Sequence, residues 1–138
     1  MVTPKQYLNQ AKHLDAMINC RLREIDYWKE LSLSIASGNY DGMPRSTNRP
    51  ADAAFVHCIE RINEAQEDVA GKVARLIALR DEIGNQINML SDRDEQLVLR
   101  FRYIDGCTWE DIAGILNVSI RTVHRIHGSA LLNFSVPE

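Results

Sequence analysis

From Thr3 to Ser37, apolar side chains recur at alternating three- and four-residue steps: Ala11, Leu14, Ile18, Ile25, Trp28 and Ile35. Arg21 and Ser32 occupy the two places that the pattern leaves polar. This spacing keeps a stripe on one side of a helix and does not fit the alternation of a strand. Thr3 followed by Pro4 predicts an N-cap and a first helical residue. Leu8, Leu22 and Leu31 widen the stripe, and the helix would run about 50 Å at ~1.5 Å per residue. A second stripe, on a segment from about Ala51 to Met89, runs through Phe55, Ile59, Ile62, Val69, Val73, Leu76, Ile83 and Ile87 to Leu90 just beyond it, with Gln66 and Arg80 at its polar places. Nine of its eleven seam positions are apolar, a pattern like that of a coiled coil. Between the stripes, Gly38, Gly42, Pro44 and Pro50 with small polar residues predict a loop at about residues 38–50.

Two long amphipathic helices joined by a loop imply an all-α fold built on an antiparallel helical hairpin. Folding back about the loop is expected to bring Ile35 near Phe55, Trp28 near Ile62 and Leu14 near Leu76. Gly71, flanked by Ala70 and Ala74, is expected to admit a close approach of the first helix, and Gly84 to mark a bend. A hairpin leaves part of each apolar face uncovered. Ile18, Ile25, Trp28, Ile62, Val69, Val73 and Leu76 are therefore the candidate interface for a second copy or another partner, with a homodimer favoured.

The pattern changes after residue 90. Ser91 reads as an N-cap before an acidic first turn, Asp92–Glu95, which the helix dipole favours. Leu97, Val98, Phe101 and Ile104 line a short helix that Asp105-Gly106 ends. Thr108 is then placed to cap a second short helix over Trp109–Leu116. Asn117-Val118-Ser119 forms a tight turn, because Asn tolerates the left-handed conformation. Ser119 caps a third helix that continues to about Phe134. Small Ala113 at the crossing point, a three-residue turn, and Ile112, Leu116, Val118, Val123 and Ile126 as closing apolar residues make this a helix-turn-helix. The expected domains are therefore a hairpin over residues 1–90 and a DNA-binding unit over residues 91–138.

The segment Leu90–Ala113, continued by Leu116-Asn117-Val118-Ser119-Ile120-Arg121-Thr122-Val123, resembles region 4 of bacterial sigma factors. Asn117 stands where that family often has glycine. The resemblance covers about 45 residues, and residues 1–90 look nothing like the sigma region that melts promoter DNA. The whole arrangement, including Gly42-Met43-Pro44-Arg45 in the loop, is similar to phage and prophage regulators of late transcription, the ArpU/RinA-like group. These resemblances imply a promoter-binding regulator and make RNA polymerase a candidate partner. On a helix-turn-helix, the residues facing the major groove would be Ser119, Ile120, Arg121, Thr122, His124, Arg125 and Gly128. Arg is the best bidentate reader of guanine. Arg93, Arg100, Arg102 and Thr108 are candidate phosphate contacts.

Composition sharpens this picture without overturning it. The chain has 138 residues, 45% hydrophobic and 25% charged, which is ordinary for a globular protein. Its net charge of −3 argues at first sight against nucleic acid. Residues 91–138 hold 5 basic and 7 acidic side chains, yet Ser119–Phe134 contains two arginines, two histidines and no carboxylate. The reading helix is locally positive, so the acidic balance predicts weak non-specific affinity rather than no DNA binding. Cys20, Cys58 and Cys107 form no metal or disulfide pattern, and Met1–Gln6 lacks the apolar stretch of a signal peptide, so a cytoplasmic setting is expected. No run approaches a membrane span. His124 and His127 alone are too few ligands for a metal site. No nucleophile setting, carboxylate pair or phosphate-cradling loop stands out, so neither an enzyme nor a cofactor is expected. The alternative function is a phage DNA-packaging or assembly protein whose helices oligomerise.

Overall fold

A computed structural model describes residues 1–37 and 50–138. The loop expected at about 38–50 and its Gly42–Arg45 segment lie outside the described residues, apart from Pro50. Among the described residues there are five α-helices and no strand: α1 (Pro4–Ala36), α2 (Pro50–Asn88), α3 (Arg93–Leu99), α4 (Trp109–Leu116) and α5 (Ile120–Asn133). A π-helical turn, Arg100–Ile104, continues α3. The fold is all-α, with a long N-terminal helix pair and small C-terminal helices.

The chain divides into two compact units, and the long helices run through both. Unit 1 holds Met1–Asp15 and Arg75–Glu138; unit 2 holds Ala16–Ala74. The boundary expected at residue 90 therefore falls inside unit 1. The reason is a shared core: Tyr7, Leu8 and Ala11 of α1 and Ile83 and Ile87 of α2 bury against Leu99 of α3 and Ala130 and Phe134 at the end of α5.

In unit 2, α1 and α2 are antiparallel, since rising numbers on one helix meet falling numbers on the other. Ile35 clusters with Ala51 and Cys58, while Ile25 clusters with Ile62 and Ala65. Trp28 packs on both clusters, which puts it with Ile62 as expected. The polar places in the α1 stripe are accommodated locally. Ser32 is buried and donates to the Lys29 carbonyl at 2.7 Å. Arg21 pairs with Asp68 of α2 at 2.7 Å and with Glu24 at 2.7 Å. Asp68 also takes Lys72, and the hydrogen bonds from Arg21 and Lys72 hold its carboxyl below the usual range.

The first half of α2 departs from the expected seam. Ala51, Cys58 and Ala65 are buried, whereas Phe55 and Ile59 are 37% and 39% exposed. The large α1 side chains fill the interface, so α2 turns its small residues toward them. Ile35 consequently meets Cys58 rather than Phe55. Gly71 is exposed, and a Cβ there would meet nothing within 4 Å, so it marks no close approach. Gly84 lies within the unbroken span of α2; a Cβ there would lie 4.0 Å from Ile104 Cδ1.

Candidate nucleic-acid interface

The starts of α1, α3, α4 and α5 are fixed by their caps. Thr3 shares reciprocal bonds with Gln6 at the start of α1, at 3.0 and 3.2 Å. For α3, however, the cap is Asp92 rather than Ser91: its carboxylate accepts the amides of Asp94 at 2.8 Å and Glu95 at 3.1 Å. A charged acceptor makes stronger bonds to these amides than a neutral hydroxyl does. Thr108 and Asp111 form a reciprocal capping box on α4. Asn117 adopts φ 56°, ψ 48°, the left-handed conformation that the turn requires. Ser119 then caps α5, its hydroxyl accepting the Thr122 amide at 3.1 Å.

Val98, Ile112, Ala113 and Val123 form the buried centre on which α3, α4 and α5 close, joined by Leu116 and Ile126. Val118 does not belong to it. It is 38% exposed at the turn, where the left-handed Asn117 swings it outward.

At about 100° per residue, Arg121, His124, Arg125, Gly128 and Leu132 share one strip of α5. All five are exposed, and Val123, His127 and Ala130 lie on the opposite, buried side. Ile120 is exposed beside the strip. Among the described residues, Arg121 and Arg125 carry no hydrogen bond or ion pair. The remaining expected readers are partly occupied. The hydroxyls of Ser119 and Thr122 bond to each other at 2.9 Å. The His124 ring lies 4.7 Å from the Trp109 ring, which fixes its orientation.

The candidate phosphate contacts divide in the same way. Arg93 is exposed and free of partners among the described residues. Arg100 donates to Asn88 Oδ1 at 2.8 Å. Arg102 donates to the Cys107 carbonyl at 3.1 Å and lies over the Trp109 ring at 4.3 Å. Thr108 is engaged as a cap. The structure thus brings Arg121 and Arg125 together on one free strip, and gives Arg100, Arg102 and Thr108 internal partners.

The interface expected on the long helices needs correction. Ile18, Ile25 and Ile62 are buried within the chain, and Trp28, Val69 and Leu76 are partly buried. Only Val73 stays exposed, at 37%. The seam that pattern reading offered to a partner is used by α1 and α2 themselves. The apolar residues left outside in unit 2 include Leu22, Leu33, Phe55 and Ile59.

Sequence reasoning missed two polar anchors. Glu95 is buried and accepts from Asn133 Nδ2 at 2.9 Å and from Ser129 Oγ at 3.2 Å, which ties α3 to α5. The signal was available as a polar pair four residues apart beside the buried side of α5. His127 is also buried: its Nε2 lies 2.7 Å from the Tyr103 hydroxyl, and its ring packs against Trp109 at 4.8 Å. Burial pushes its pKa down to about 4, helped by the positive charges of Lys5, His124 and Arg102. His127 is therefore neutral at pH 7 and shares a hydrogen bond with the Tyr103 hydroxyl.

Residues 45–135 match the family described as "Protein of unknown function (DUF1492)". The chain belongs to that family. The DUF1492 match spans all of α2 and runs through α5. No curated protein and no solved structure matches the chain. Among the described residues, no group of three or more His, Cys, Asp or Glu side chains is placed to hold a metal, and no helix is long and apolar enough to cross a membrane.

Proposed function

We propose that this DUF1492 chain is a sequence-specific regulator of transcription that binds double-stranded DNA through α5. It would be of the phage or prophage type that its C-terminal residues resemble, acting at promoters with RNA polymerase in the bacterial cytoplasm. One observation carries the reading. A capped helix–turn–helix presents Arg121 and Arg125, one helical turn apart and free of internal partners, on an exposed strip with no carboxylate. Guanidinium groups so placed suit the O6 and N7 acceptors of guanine, and each good bidentate contact discriminates by ~1–3 kcal/mol. The capped N-terminus of α5 is placed to orient the strip, while Arg93 supplies a phosphate contact.

The test is selection of bound duplexes from a random library, followed by gel-shift titration. The expected result is one enriched motif that contains guanine. Arg121→Ala should relax base choice at one position and weaken the selected site by about 1–3 kcal/mol. An Arg121→Ala variant that keeps both the affinity of the unaltered chain for the selected duplex and its preference over a scrambled one would remove α5 as the reading helix. Run-off transcription from promoters carrying the motif then separates a regulator from an assembly protein, which would leave transcript yield unchanged.

A further inference from the structure

Unit 1 contains a cleft of about 330 Å³ between the start of α1, the second half of α2 and the π-helical turn. Its size is at the low end of small-molecule pockets, which run from about 300 to 1,000 Å³. Leu76, Ile104 and Tyr103 supply apolar walls. Lys12 and Arg80 supply two cations, and Asp15 and Asp105 two carboxylates. Among the described residues, none of these four charged side chains has a hydrogen bond or an ion pair. Lys12 and Asp15 stand three residues apart on α1, a spacing at which opposite charges commonly pair, yet they remain apart. Arg102 also lines the cleft, but its guanidinium is already committed to the Cys107 carbonyl and the Trp109 ring, so it acts as a fixed wall.

We propose that this cleft binds a molecule with the chemistry of a nucleoside monophosphate. Lys12 and Arg80 take the phosphate, the apolar walls take the flat ring, and the Asp15 and Asp105 carboxylates accept from hydroxyl or amine donors. The carboxylates decide against a bare anion, which they would repel, and the cations decide against a neutral nucleoside. This site is independent of the DNA-binding reading, because it uses neither the α5 strip nor any duplex.

Isothermal titration calorimetry of the full chain with AMP, GMP, CMP and UMP, in the absence of DNA, tests it. The expected result is saturable binding of at least one of the four at one molecule per chain. Inorganic phosphate and the matching nucleoside should bind at least tenfold more weakly. Lys12→Ala and Arg80→Ala, both at exposed helix positions, should each weaken the nucleotide at least tenfold while leaving the helical circular-dichroism signal unchanged. The proposal is overturned if none of the four nucleotides gives a saturable heat. It is equally overturned if phosphate alone binds as tightly, or if both variants bind as the unaltered chain does.

Discussion

His127 sits on the buried side of α5, where its neutral ring joins the π-helical turn to α5 through Tyr103. Its pKa of about 4 lies below the ordinary value of 6.5. The unfolded chain therefore takes up a proton at this residue as pH falls through 6.5, while the folded chain does not until pH approaches 4. Stability contributed by the neutral ring is complete above 6.5 and is lost between 6.5 and 4, by at most about 3 kcal/mol at ~1.36 kcal/mol per pH unit. Thermal melts from pH 7 to pH 5 should show a falling midpoint, and His127→Phe should flatten that dependence. An unchanged slope in the variant would place the sensitivity in other groups. Tyr103→Phe removes one partner of this hydrogen bond and leaves a buried His127 nitrogen unmatched, a loss of roughly 1–3 kcal/mol by denaturant titration at pH 7.

At the scale of elements, Asn117 and Gly71 make opposite predictions from backbone geometry. Asn117→Gly should be tolerated at φ 56°, whereas Asn117→Val should cost about 1–2 kcal/mol and loosen the angle between α4 and α5. Gly71 is helical, exposed and free of neighbours at its Cβ position, so Gly71→Ala should stabilise the chain by up to ~1 kcal/mol in urea. The same two residues show what the sequence could convey. Helix positions were legible because capping and turn signals are local: Thr3, Thr108, Asn117 and Ser119 each act within four residues. The α3 cap slipped from Ser91 to Asp92 because two adjacent residues carried competing acceptors. The α2 seam was less legible, since bulky Phe55 and Ile59 look more core-like than Ala51 and Cys58 until the size of the opposing α1 side chains is known. The buried bonds of Glu95 and His127 depend on contacts across 24 to 38 residues, which no periodicity reports.

For the whole molecule, a net charge of −3 and the exposed apolar strip of unit 2 bear on one question that the proposed function raises, namely how a chain with so few free cations would hold DNA. Binding to DNA loses affinity with salt at a log–log slope of about −0.9 per neutralised phosphate. The C-terminal helices offer three arginines without internal partners, Arg93, Arg121 and Arg125, so the slope should not exceed about −3 per chain. On the proposed function, so few phosphate contacts would leave a single chain weakly held, and two copies on one duplex would double them. Phe55, Ile59 and Val73 fall within about 40° of one another around α2 at about 100° per residue, and all three are exposed. A second copy laid on this strip by a two-fold axis would bury them mutually. Sedimentation velocity of the unaltered chain should then report a dimer, and Phe55→Ser with Ile59→Ser a monomer of undiminished helicity. The double variant should bind single half-sites as the parent does but lose its preference for paired ones. A parent that sediments as a monomer throughout the micromolar range would assign the strip to a different partner and leave the two-reader arrangement without support.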